Sequence, residues 1–93
     1  MNRKANIEKM INDCFQPYFF SVKDVSEQHR GHQSFKENVE SHFEIIIVSK
    51  KFDNKSNINR HRMINQGLKK EFLSDLHSVT IKAHTIIEYK KIR

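Results

Sequence analysis

In 93 residues the chain holds one cysteine, one proline, two glycines and no tryptophan, and its longest aliphatic run is Ile45-Ile46-Ile47-Val48. Each shortage excludes something. A single thiol, Cys14, cannot close an internal disulfide, so nothing implies an oxidising compartment. The aliphatic run falls far short of the roughly 20 residues a helix needs to cross a bilayer. Arg3 and Lys4 open the chain, but no apolar signal-peptide core follows them before Glu8. The expectation is a soluble protein of the cytoplasm, or of the mitochondrial matrix or another organelle in a eukaryote. Two isolated glycines, Gly31 and Gly67, make no glycine-rich phosphate loop, and no spacing supports a serine or cysteine nucleophile. A chain this short forms one small domain, residues 1–93, with a modest core, so a binding module is expected rather than an enzyme.

What is present is positive charge, concentrated in one place. The net charge is +6, and residues 50–70 alone hold seven Lys/Arg against one acid, Asp53. The rest of the chain has ten basic and ten acidic residues and sums to zero. Such a segment suits nucleic acid, an acidic protein or a small anion as a partner, or forms a solvated helix face.

Periodicity supplies the elements. Ile7, Met10, Ile11, Cys14 and Phe15 follow the i, i+3, i+4, i+7, i+8 rule of an amphipathic helix, with Cys14 read as a core thiol. Pro17 ends this helix and is expected to hold Gln16 extended. The aromatic run from Tyr18 to Lys23 suits a strand, and residues 25–41 read as a long polar loop. The β-branched run from Phe43 to Ser49 reads as a central strand covered on both faces. Asp53 to Asn57 is turn and cap chemistry. Ile64, Leu68, Phe72 and Leu76 then recur every four residues along a helix of some four to five turns. Gly67 within it costs about 1 kcal/mol against alanine, which implies close packing there. Val79, Ile81 and Ala83 alternate with polar residues as in a half-buried strand. Thr85-Ile86-Ile87-Glu88 is a capping box opening a terminal helix. The result is an α+β chain of order αββαβα: a two-layer sandwich with a three-stranded mixed sheet, the first pair of strands antiparallel and the second joined by a helical crossover and free to run parallel.

The chain resembles the BolA family. The resemblance is carried by Glu40-Ser41-His42-Phe43 leading into the Ile/Val strand, by Val48-Ser49-Lys50-Lys51-Phe52, by Arg60-His61-Arg62-Met63-Ile64-Asn65, by Leu76-His77-Ser78-Val79, and by Thr85 to Tyr89. It implies a fold like that of the class II KH domain and no enzymatic turnover. It further implies a partnership with a monothiol, CGFS-type glutaredoxin, the two proteins and glutathione sharing a 2Fe-2S cluster, in cluster trafficking or iron regulation. The ligands implied on this side are His77, just before the last strand, and a histidine of Ser26-Glu27-Gln28-His29-Arg30-Gly31-His32. Counting from Ser26 selects His29; counting back from Glu40 selects His32.

Residue chemistry agrees in one respect. A self-contained cluster needs four ligands, usually thiolates, and one cysteine cannot supply them, so any cluster must be shared. The other histidines read differently: His42 as structural, His61 as packed or hydrogen-bonded between Arg60 and Arg62, His84 as surface. The second reading is a DNA-binding transcriptional regulator, with Arg60, Arg62, Lys69 and Lys70 on phosphates. Against it stands the absence of the Gly-x-x-Gly loop with which KH domains clamp a nucleic-acid backbone. The expected partners are thus a glutaredoxin or, on the second reading, DNA; no membrane is expected, and a homodimer is an allowed form of the free chain.

Overall fold

The computed structural model describes residues 3–25, 42–73, 76 and 78–92. The polar segment after Val25, with His29 and His32, lies outside the described residues, as does His77.

Helix α1 spans Arg3–Phe15. Ile7, Ile11 and Phe15, spaced by four, are buried in it, and Met10 packs beside them. Cys14 departs from the expected stripe and is exposed. The seam at this last turn is filled by Phe15, whose ring lies 5.3 Å from that of Phe52, and the preceding residue is turned about 100° away. Gln16 is not extended either. Its φ is 41°, and it closes the helix by donating its own N–H to the Asn12 carbonyl and its side-chain amide to the Asp13 carbonyl. Two otherwise orphaned carbonyls gain donors this way.

Strand β1 (Phe19–Asp24) pairs antiparallel with β2 (His42–Val48), and β2 pairs parallel with β3 (Ser78–His84), giving the sheet order β1-β2-β3. Registered neighbours share a face. One face carries Phe20 and Val22, then Phe43, Ile45 and Ile47, then Val79, Ile81 and Ala83; with α1, Ile64, Leu68 and Leu76 these make the core. The other face carries Ser21, Lys23, Glu44, Ile46, Thr80 and Lys82 around a shallow depression. The central strand is therefore not covered throughout on both sides. Glu44 is exposed and Ile46 half-buried, while His42 and Val48 are buried at its ends. The isoleucine run reflects β-propensity as much as burial.

The crossover from β2 to β3 starts at Ser49, which caps a 3-10 turn over Lys50–Phe52. Helix α2 (Asn57–Gly67) follows, with the Ser56 hydroxyl accepting from the Asn59 N–H. The single long helix expected here is broken. The Leu68 N–H is shared between the carbonyls of Ile64 and Asn65, and a four-residue helix, α3 (Lys69–Phe72), continues from it. The four-residue repeat consequently loses its register: Ile64 and Leu68 are fully buried, but Phe72 is exposed. Gly67 lies against α1 as its helix penalty implied. A β-carbon there would stand 2.5 Å from the Met10 sulfur. Helix α4 (Ile86–Ile92) opens on the expected capping box: Thr85 N–H donates to Glu88 Oε1 at 2.9 Å, and Glu88 N–H to Thr85 Oγ1 at 3.1 Å. No described helix is long and apolar enough to cross a membrane.

Ser49 joins three elements. Its buried hydroxyl donates to the Phe15 carbonyl at 2.7 Å and accepts from the Lys51 N–H at 3.1 Å, and its own N–H donates to the His84 carbonyl. Ser49→Ala strands the buried Phe15 carbonyl. A loss of about 1–3 kcal/mol is expected in urea unfolding, with an unchanged denaturant slope.

Candidate metal-binding end and basic surface

The two ends of the sheet differ in what they gather. At the first, β1 leaves and β2 enters: Asp24 is registered with Phe43, and the Val25 N–H donates to the His42 carbonyl at 2.9 Å. In the parallel pair, His42 is registered with Ser78. The segment bearing His29 and His32 is thus bounded at both ends by residues of this sheet end, and Ser78 directly follows His77 in the chain. The antiparallel and parallel pairings together bring Val25, His42 and Ser78 to one end of the sheet. His42 is buried here, in keeping with a structural role.

The thiol is elsewhere. Through the Ser49–Phe15 hydrogen bond, the last turn of α1, and Cys14 in it, sits where β2 ends. The strand length separating that end from His42 is about 20 Å, at roughly 3.3 Å per residue. Among the described residues no group of three or more His, Cys, Asp or Glu side chains is placed to hold a metal. The chain's single cysteine cannot supply the four thiolates that usually hold a self-contained cluster.

The basic segment divides into spent and available charge. Arg60 is spent. Its Nε donates to the Lys55 carbonyl at 2.9 Å, Nη1 to the Ala83 carbonyl at 3.1 Å, and Nη1 and Nη2 grip Glu88 at 2.7 and 3.2 Å. Its side chain is 8% exposed, so the expectation of a phosphate on Arg60 gives way to a role inside the fold. The residue was drawn inward by Glu88, an acid outside the basic run. Arg62, Lys69 and Lys70 are exposed. They do not form one surface with Arg60: Lys69 and Lys70 line the groove between α1 and the α2–α3 break, beside Cys14 and Gly67. His61 is exposed rather than packed, because its neighbour Arg60 takes the inward position. His84 is half-buried, its ring 6.3 Å from that of Tyr89.

A family model described as BolA-like protein matches residues 11–88. The chain belongs to the BolA family. It is 32% identical over 90 residues to the DNA-binding transcriptional regulator BolA of Escherichia coli (strain K12), covering 97% of this chain and 82% of that one. Among solved structures, the BolA domain of SufE1 from Arabidopsis thaliana is similar at 38% identity and a TM-score of 0.86, with 95% of this chain and 96% of that one covered. BolA1 from the same plant is similar at 32% identity and a TM-score of 0.85, with the same coverage. The α+β architecture with a three-stranded mixed sheet is that of BolA domains.

Sequence reasoning found the Thr85–Glu88 cap but missed that the same carboxylate serves Arg60. The signal was a lone acid in the terminal helix, three residues past a threonine, opposite an arginine with no acid near it in sequence. The Arg60 guanidinium, then the Thr85 N–H, lower the Glu88 carboxyl from its usual value to about 2. A depressed acid stabilises the fold above its unfolded pKa, and that contribution is lost as pH falls through its folded pKa. The window is thus from about 4.5 down to about 2. Because the Glu88 side chain is 47% exposed, solvent screening limits the effect to about 1 kcal/mol or less. Glu88→Gln is expected to flatten the stability profile within that window. Thermal unfolding of both proteins across it provides the check.

Proposed function

We propose that this BolA-family protein is a non-catalytic iron-sulfur adaptor of a reducing compartment. It would pair with a monothiol, CGFS-type glutaredoxin and, with glutathione, share a 2Fe-2S cluster in trafficking or iron regulation. The observation that carries the reading is the registration of His42 with Ser78. That pairing gives the segment containing His29 and His32 a common sheet end with the residue that follows His77. The composition supports it as well: this side offers imidazoles and a single, distant thiol, so thiolates must come from the partner and glutathione.

In this reading His77 and one of His29 and His32 present neutral ring nitrogens to iron. In the chain His77 stands between buried Leu76 and Ser78, the first residue of β3. The cluster, when bound, supplies one-electron redox capacity and transferable iron and sulfide. Protonation of the imidazoles competes with ligation, so binding weakens below about pH 6.5.

The second reading is DNA binding. It is favoured by the name of the Escherichia coli relative, a DNA-binding transcriptional regulator. Here it rests on Arg62, Lys69 and Lys70, and not on Arg60.

The test is reconstitution with a CGFS-type glutaredoxin, glutathione, iron and sulfide, followed by visible absorption and circular dichroism. His77→Ala is expected to change the dichroism of the complex, and one of His29→Ala and His32→Ala to do the same. A spectrum unmoved by His77→Ala sinks the ligand assignment.

A further inference from the structure

The end of the sheet away from His42 and Ser78 holds a surface built on residues other than Arg62, Lys69 and Lys70. There β1 begins, β2 finishes and α4 starts: the Tyr18 N–H donates to the Val48 carbonyl, and Ser49 follows at the head of the Lys50–Phe52 turn. A groove of about 470 Å³ runs along this end past Pro17, Tyr18, Ser49, Lys50, Lys51 and Ile86, and no carboxylate lines it. Tyr18 is 53% exposed, and the ammonium of Lys90 stands 5.6 Å from the centre of its ring. Beside it Phe19, also exposed, stacks on Tyr89 with ring centres 5.2 Å apart and planes 16° from parallel.

We propose that Tyr18, with Lys50, Lys51 and Lys90 around it, is a stacking platform for single-stranded nucleic acid. The inference goes beyond the cluster-sharing reading and does not depend on it. A single strand is bound by aromatic faces that accept any base and by cations that follow the phosphates. This end of the sheet supplies both within one groove. An acidic peptide would use the lysines but has no need of a half-exposed planar ring. Duplex DNA hides its base faces, so it would not use that ring either. The tyrosine is the discriminating feature: the residue just before edge strand β1, exposed rather than folded into the core. The cation over its ring shows that the π-face is already presented to positive charge, and Lys90 can exchange that contact for a phosphate.

The platform is distinct from the surface of Lys69 and Lys70, which line the groove on α1. That separation makes the test specific. A fluorescein-labelled oligothymidine of about 12 nucleotides, long enough for sites of this kind, is titrated with the full chain at low salt and followed by anisotropy. Tyr18→Ala is expected to weaken binding about 5- to 100-fold, as loss of one stacked base does, and Tyr18→Phe to leave it within about two-fold. Lys50→Ala with Lys51→Ala should lower the log–log salt slope by about 1.4, or two phosphate contacts on a single strand. Lys69→Ala with Lys70→Ala should leave that slope unchanged. Should Tyr18→Ala unfold, as circular dichroism would reveal, the exposed lysine pair and Tyr18→Phe still decide the matter. The proposal is overturned by no binding at low salt, by a folded Tyr18→Ala that binds as the parent does, by an equal slope change from Lys69 and Lys70, or by displacement of the oligonucleotide by a polyglutamate peptide at lower concentration.

Discussion

The parallel pairing of β2 with β3 is the constraint from which the rest of this structure follows. A parallel pair cannot be closed by a hairpin; it needs a crossover of a dozen or more residues that returns the chain to the starting end. Residues 49–77 are that crossover, and they include the 50–70 segment whose seven Lys/Arg face a single acid. Returning the chain also aligns Ser78 with His42, while the antiparallel partner β1 meets β2 at the same end through Val25. One pairing choice thus sorts the chemistry of the molecule. Val25, His42 and Ser78 meet at one end of the sheet, while Tyr18, Lys50 and the last turn of α1 with Cys14 lie at the other.

Much of this was legible in the residues. The strands, their directions and the central place of β2 followed from period and connection length. The cap at Thr85 and Glu88 was readable because a capping box is local chemistry with a fixed spacing. Gly67 was readable as a close approach because its cost within a helix demands a reason. What failed to be legible was long-range. Cys14 satisfies the helical stripe, yet Phe15 against Phe52 takes the seam, and no count along one helix reveals which of two adjacent residues its neighbour selects. Phe72 keeps the four-residue spacing but lies past the break at Leu68. Arg60 looks like part of a basic block until Glu88, 28 positions away, is seen to hold it.

The candidate site was legible to a lesser degree. His77 and the pair His29 and His32 were singled out by family resemblance, since imidazoles at such separations carry no signal of their own. The structure adds the registration of their described neighbours, which no spacing rule contains. Conversely, the platform at Tyr18 went unremarked in sequence, because a tyrosine beginning a strand is ordinarily packed. Only the position of α4, set by its cap and by Glu88, brings Lys90 to that ring.

The guanidinium withheld from solvent has one further effect. Along β3 successive carbonyls point to opposite sides. The His84 oxygen is taken by Ser49, beyond the end of β2, so the Ala83 oxygen looks outward from the rim of the sheet, and Arg60 occupies it at 3.1 Å. A rim with an unfilled acceptor is an invitation to another chain's amide. Here the vacancy is plugged by a cation that is itself neutralised and tethered to the next helix. Association of two such sheets edge to edge through the far half of β3 is thereby discouraged by the very residue that gives the basic block its recognisable pattern.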